Sequence, residues 1–301
     1  MRILAMISLL MIFLSGCKEE ENKHININFE LKDKNIPQRE SNSENIYKAA
    51  ISAMISPKET FVNYKELIDY LSIRTNHKIE LIQKKTYQEI NNLIESGELD
   101  FAFICSGAYV DLSSKCKIDI IAVPQTNGKC LYQAYIIANK ESKINKFEDF
   151  KGKSFAYTDL LSNTGRLYAL KRVKEIGNND VTFFSNIIYS NAHDNSIQLV
   201  NKGLVDGATI DGLIYEFMKV NSPEYVKNII VIEKSEFYGI PPIVTKSDKK
   251  KYVDTVRKVL MNMDKDEKGK KILSKLKIDK FVSGHDSSYN SIRKIKSFVS
   301  K

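Results

Sequence analysis

The sequence predicts an α/β fold of open, mostly parallel sheets flanked by helices, and three observations carry that prediction. Short apolar runs alternate with amphipathic stretches from residue 46 to residue 281, the rhythm of βαβ units. Two capping boxes, Ser56-Pro57-Lys58-Glu59 and Thr86-Tyr87-Gln88-Glu89, open amphipathic stretches, and in the first a proline takes the first helical position. Phe101-Ala102-Phe103-Ile104-Cys105 is apolar throughout, as suits a strand covered on both faces of a parallel sheet.

In chain order, Ile46 to Ile55 reads as the first strand, followed by a helix with Phe61, Tyr64, Leu67, Ile68 and Leu71 on one face. A strand at Ile79 to Ile82 leads to a helix carrying Ile90, Leu93 and Ile94, which Gly97 ends. After Phe101–Cys105 the rhythm resumes with strands at Tyr132 to Ala138 and Ser154 to Tyr157. A helix then spans Arg166 to Ile176, with apolar residues at every third position from Leu167. Strands are expected near Ile187–Tyr189, Val205–Ile210, Ile229–Ile232 and Ile243–Thr245, with a short helix after His193-Asp194-Asn195-Ser196. Val253, Val256, Leu260 and Met263 mark a helical tail. No internal repeat is present. The expected layout inserts a second lobe (133–238) into a first (46–132 and 239–301), so that two chain crossings form a hinge.

The front of the chain sets the expected compartment. Arg2 precedes an uncharged, mostly apolar run from Ile3 to Leu14, too short to span a bilayer and read as the core of a signal peptide over residues 1–16. Leu14-Ser15-Gly16-Cys17 resembles the bacterial lipobox, which implies a lipidated Cys17. Residues 17–45 are mostly polar and read as a tether. The expectation is an exported protein held by lipid to a bacterial membrane, facing the periplasm or the cell exterior.

Composition narrows the functions. Hydrophobic residues make up 43% of 301, enough for two cored lobes. The net charge of +9 is spread over lysines interleaved with acids, and no aromatic–basic platform accompanies them, so nucleic acid is not an expected partner. Cys105, Cys116 and Cys130 fit no zinc spacing. Export would allow Cys116 to pair with Cys130, and Cys105 reads as a small buried hydrophobe.

Three strand-to-helix turns are rich in small hydrogen-bond donors: Ser106-Gly107-Ala108-Tyr109, Ser162-Asn163-Thr164-Gly165 and Ser190-Asn191-Ala192-His193-Asp194. In open α/β sheets ligands collect beyond the carboxyl ends of strands, where helix N-termini favour anions. None of the turns carries a nucleotide-binding glycine motif or a P-loop lysine. Their mostly neutral donors suit a small tetrahedral oxyanion, and His193 at a helix entry is placed to donate to it. Asp100, Asp159, Asp206 and Asp211 lie on separate elements, and His193 has no evident nucleophile partner, so neither an enzyme nor a metal or cofactor is expected.

Several segments occur in order: Ala53 to Phe61, Asp100 to Val110, Asn139 to Ser142, Ser162 to Gly165, His193 to Ser196, Val205 to Ala208 and Gly239 to Pro242. Together they resemble the phosphate/phosphite/phosphonate-binding proteins of ABC transporters, a branch of the type II periplasmic-binding-protein fold, from Ile46 to about Phe281. The resemblance implies two lobes around a cleft that captures a small phosphorus oxyanion by hinge closure, as a monomer, for an ABC permease. It implies that Ser162, Asn163, Thr164 and His193 grip the oxygens and that Tyr87 and Tyr132 contact the ligand, with Ser106 as a further donor. Relatives that take aminoalkyl phosphonates carry carboxylates at positions that align near Leu213 and Pro241. Asp211 lies nearby, but no dedicated ammonium clamp is evident, so phosphate, phosphite or a small alkyl phosphonate is expected. A lipoprotein reporting the same anions to a sensor, or a binder of another anion such as a sulfonate, is the alternative.

Overall fold

A computed structural model describes residues 46–300. The signal peptide, Cys17 and the tether expected up to residue 45 lie outside the described residues. The chain runs through β1 (Ile46–Ile51), α1 (Pro57–Thr75), β2 (Lys78–Ile82), α2 (Tyr87–Glu95), β3 (Phe101–Phe103), α3 (Ser106–Ser113) and β4 (Ile118–Gln125). It continues with β5 (Leu131–Tyr132), β6 (Ala134–Asn139), β7 (Ser154–Tyr157), α4 (Tyr168–Glu175), α5 (Asp180–Phe183), β8 (Asn186–Tyr189), α6 (His193–Asn201), β9 (Gly207–Asp211), α7 (Gly212–Asn221) and β10 (Ile229–Lys234). It ends with β11 (Tyr238–Gly239), β12 (Ile243–Lys246), α8 (Asp254–Met261), α9 (Glu267–Lys275), β13 (Lys280–Val282) and α10 (Asn290–Ser300).

These strands form a six-stranded sheet of order β13-β4-β12-β3-β1-β2 and a five-stranded sheet of order β10-β6-β9-β7-β8, each the centre of one lobe. Both sheets are mixed, which corrects the expectation of mostly parallel ones: β1 pairs parallel with β2 and β3, and β7 with β8 and β9, but the other pairs are antiparallel. The cause is topological. β6 follows the passage out of the first sheet and β12 the passage back, and each enters its new sheet from the cleft side, against the direction of its neighbours. Helix–strand alternation alone does not reveal where a chain changes sheets. Between the lobes β5 and β11 pair antiparallel, with Tyr238 opposite Tyr132.

Each sheet is covered on both faces. In β1, Tyr47, Ala49 and Ile51 pack with Leu67, Leu71, Val256 and Leu260, while Ala50 joins the opposite core with Ile90, Ile94 and Ala102. Beneath the second sheet Phe147, Phe150, Phe155, Phe183 and Phe184 interlock, with Phe155 and Phe184 stacked at 4.4 Å. Each such ring contributes about 1.5–3 kcal/mol by leaving water. Ile137, Ala156, Ile197, Val200 and Ile210 fill the other face.

Local signals held unevenly. The Thr86 box is complete, with its side chain accepting from Glu89 N–H and the Glu89 carboxylate accepting from Thr86 N–H. Ser56 caps α1 by position, with Pro57 first in the helix, but its side chain makes no capping bond, so the expected box does not form there. The first strand stops at Ile51, and the apolar run at 101–105 gives a three-residue strand, because Ile104 and Cys105 already turn toward α3. Cys105, Cys116 and Cys130 are all free thiols, so the Cys116–Cys130 pairing does not form. Among the described residues no helix is long and apolar enough to cross a membrane.

Candidate ligand-binding site

The site lies where β1, β3, β7, β8 and β9 deliver their carboxyl ends, bringing the predicted turns from both lobes together. After β7, Ser162 caps a single π turn, Asn163–Leu167, that runs directly into α4. Ser162 Oγ accepts from Gly165 N–H at 2.9 Å, and Thr158 N–H donates to Gly165 O at 2.8 Å. A Cβ on Gly165 would sit 2.4 Å from Thr158 Oγ1, so only glycine lets this turn close. Helical periodicity read the helix start as Arg166; the π turn, a frequent mark of functional sites, leaves no such trace.

Ser162, Asn163 and Thr164 are fully buried, as are Tyr87 and Ser106. Three predicted residues nevertheless hold a buried polar atom without a partner: the Tyr87 hydroxyl, Asn163 Oδ1 and Thr164 Oγ1. Each costs about 1–3 kcal/mol unless something polar meets it, so their clustering at one set of strand ends points to a bound group. Asn163 Nδ2 donates to the Tyr132 hydroxyl at 3.3 Å. Turning the amide over makes Tyr132 donate to Oδ1 and frees Nδ2 as a donor toward an anion. Ser106 Oγ donates to Gly239 O at 2.7 Å, so its proton is committed to joining α3 and β11.

His193, first in α6, has its tautomer fixed by the backbone. Its Nδ1 accepts from Asp211 N–H at 3.0 Å and lies 3.1 Å from Thr158 Oγ1. Burial pushes its pKa down to about 3, so the ring is neutral and its single proton must be on Nε2. The residue therefore presents a neutral donor. Asp211 caps α7, its Oδ1 accepting from Leu213 N–H at 2.7 Å. Burial raises its carboxyl to about 7, opposed by N–H groups of Leu213 and Ile214. Asp211 also lines a cleft of about 880 Å³ together with Met54, Phe103, Tyr132, Leu213 and Pro241. Leu213 and Pro241, the positions aligned with the carboxylates of aminoalkyl-phosphonate binders, thus face the same space as Asp211.

The sequence did not single out the groups that tie the lobes. Asp159 Oδ2 accepts from Tyr87 N–H at 3.1 Å, and Asp194 Oδ1 accepts from Ser56 N–H at 2.8 Å. His193 N–H donates to Met54 O at 2.9 Å. Two second-lobe carboxylates thus meet the N-terminal ends of α1 and α2, where helix dipoles favour negative charge. A Cβ on Gly107 would stand 2.2 Å from Leu161 O of the other lobe. Ser52, at the end of β1, is a further buried residue with an unpartnered hydroxyl. Asp194 lies within one of the donor-rich turns and Asp159 three residues before another, but nothing in their spacing shows a partner more than seventy residues away.

Two mixed α/β lobes closing on a nest of directed donors define a protein of the solute-binding class. The profile of the family described as "ABC transporter, phosphonate, periplasmic substrate-binding protein" matches residues 49–289, and the chain belongs to this family. It is 29% identical over 186 residues to the phosphate-import protein PhnD of Mycolicibacterium smegmatis, covering 58% of each chain. To the phosphonates-binding periplasmic protein of Escherichia coli it is 27% identical over 177 residues, 57% of this chain and 52% of the other. The chain thus spans little more than half the length of these relatives. Among solved structures, a binding protein component of a Pseudomonas aeruginosa ABC phosphonate transporter superposes with a TM-score of 0.79 at 22% identity, over 85% of this chain and 87% of the other. PhnD1 of Prochlorococcus marinus in complex with methylphosphonate gives 0.77 at 18% identity, over 86% and 99%. These likenesses establish the two-lobed type II periplasmic-binding-protein fold.

Proposed function

We propose that this protein captures a small phosphorus oxyanion, phosphate, phosphite or an alkyl phosphonate, between its lobes and hands it to the permease of an ABC importer. The observation that carries the reading is the set of buried, unpartnered polar groups contributed by both lobes, Tyr87 from one and Asn163 and Thr164 from the other. His193 adds a neutral donor, which binds an anion without itself requiring a counter-charge. Family membership and the names of the relatives, one a phosphate importer and one a phosphonate binder, support the ligand class.

The lobes are taken as 46–132 with 239–301, and 133–238, a division supported by sheet membership. The protein is a monomer exported behind the signal peptide 1–16 and anchored through lipid on Cys17; the lipobox-like Leu14–Cys17 supports that reading. Replacing Cys17 by Ser should move the protein from the membrane fraction to the soluble exported fraction.

A thermal-shift titration of residues 18–301, stripped of carried-over ligand by unfolding and dialysis, tests the function. A ligand at a hundred times its dissociation constant adds about 2.7 kcal/mol of stability. A shift with phosphate, phosphite or methylphosphonate but not with sulfate or taurine is the expected result. Stabilisation by taurine alone would make this a sulfonate binder.

A further inference from the structure

By its place in the chain α10 ends the first lobe, yet it packs against α3 of that lobe and also against α4 and the Asn163–Leu167 turn of the other. The two attachments differ in kind. Toward the first lobe they are polar and directed. Lys296 Nζ meets Asp111 Oδ1 of α3 at 2.8 Å, Arg293 pairs with Asp286, and Asp286 accepts from the Tyr109 hydroxyl at 2.7 Å. The Tyr289 hydroxyl, just ahead of the helix, donates to Ile240 O at 2.9 Å, next to the hinge strand β11. A Cβ on Gly239 of that strand would stand 2.7 Å from Ser288 O, so the turn before α10 lies directly on it. Toward the second lobe the attachment is mainly apolar. Ile292 and Ile295 share one buried cluster with Tyr168, Ala169 and Val173 of α4. At the helix end Lys174 donates to Val299 O at 3.4 Å and lies over the Phe298 ring at 5.4 Å.

Ion pairs and hydrogen bonds fix a geometry, whereas apolar burial is non-directional. Packed helices can therefore slide or roll on one another by small shears without losing contact. α10 has what a pivot needs: it is fixed to α3 and can turn against α4. Another flank of the lobes is built differently. There the cleft of about 880 Å³ runs between α7 of the second lobe and α9 with residues 277–279 of the first, and none of the described residues of α3, α4 or α10 lines it. This cleft remains although the Asp159–Tyr87 and Asp194–Ser56 bonds are made.

We infer that α10 is a third connection between the lobes, beside the two hinge strands, and keeps α4 on the first lobe while the lobes part, so that the protein opens, and ligand enters, along the edge between α7 and α9. The inference rests on capture by closure as proposed above and adds where the lobes separate.

Nitroxide label pairs, measured by pulsed dipolar spectroscopy, test it on residues 18–301 with Cys116 and Cys130 replaced by serine. At exposed positions, Glu175→Cys with Ser297→Cys spans α4 and α10, and Lys219→Cys with Lys271→Cys spans α7 and α9. On addition of phosphate or methylphosphonate the first distance should change by no more than about 2 Å, the scale of a helix shear, and the second should shorten by more than about 4 Å. Val299→Lys, which sets a second ammonium against Lys174, should broaden the α4–α10 distribution of the free protein. Thermal unfolding checks each variant, and Lys294→Cys replaces Ser297→Cys if the latter fails to fold. Equal shortening at both edges, or an α4–α10 distribution indifferent to Val299→Lys, overturns the inference. So does binding, seen by calorimetry, that moves neither pair. If neither ligand binds, the oxyanion reading fails by itself, and the free Asp159→Ala/Asp194→Ala variant decides the inference. Broadening confined to the α7–α9 pair upholds it; broadening at both pairs or at neither overturns it.

Discussion

Asp194 Oδ1 and the Ser56 backbone N–H meet at 2.8 Å across the cleft, a hydrogen bond that exists only when the lobes are together. Asp159 and Tyr87 make a second such contact at 3.1 Å. A carboxylate accepting from a helix N-terminal N–H is a charge-assisted bond, worth about 1.5–3 kcal/mol. Asp194→Ala should therefore weaken ligand binding by about ten- to a hundredfold and raise the radius of gyration of the liganded protein in small-angle scattering. If both quantities stay at their native values, the contact is incidental to closure.

The cluster of buried donors between the lobes makes its own prediction. Thr164 Oγ1 is buried without a partner, whereas Ser162 Oγ already accepts from Gly165 N–H. Thr164→Ala should cost about 1.5–3 kcal/mol of ligand binding while leaving the melting temperature of the free protein unchanged or higher. Ser162→Ala should lower both, because it also removes the cap of the turn. Equal melting temperatures for the two variants would contradict this division of roles.

Two glycines separate folding from closure. A Cβ at Gly165 collides with Thr158 inside one lobe, and a Cβ at Gly107 collides with Leu161 O of the other lobe. Gly165→Ala should destabilise the free protein by about 1–3 kcal/mol, the usual cost of overpacking. Gly107→Ala should melt normally without ligand yet bind weakly and stay open. Finding the free Gly107 variant as unstable as the Gly165 variant would show the lobes to be joined permanently.

Adjacent groups in the site titrate in opposition. His193 is depressed from 6.5 to about 3, so its contribution to stability is complete above pH 6.5 and is lost as pH falls toward 3. Asp211 is raised from 3.8 to about 7, so its contribution is complete below pH 3.8 and is lost as pH rises through 7. Between pH 3.8 and 6.5 the two slopes oppose each other. Asp211→Asn should therefore expose a steeper loss of stability on acidification below pH 6.5 than the native chain shows. Urea melts at half-unit pH steps measure it; parallel native and variant curves would refute it.

Much of this organisation was legible in the sequence, and the rest was not, for identifiable reasons. Ser162, Asn163, Thr164 and His193 stand out in the sequence because small donors at strand ends have a local signature, and the structure buries all four. Thr86 was found because a capping box is written in four consecutive residues. The mixed sheets were missed because strand direction depends on where the chain changes lobes, a fact of global topology. Cys105 was read as a small hydrophobe, correctly as to its burial. The interlobe roles of Asp159 and Asp194 were missed because each depends on a partner far away in the chain, Tyr87 and Ser56.

Among the described residues, the two interlobe carboxylates address only main-chain donors on the first lobe. That makes the fastening one-sided in genetic terms: evolution can rewrite the side chains at positions 56 and 87 without touching it, and an alanine survey of that lobe would pass over it silently. Proline is the exception, since it alone deletes the donor. Ser56 already has φ of −56°, the angle proline imposes, so the change strikes the N–H itself without forcing that backbone angle to move.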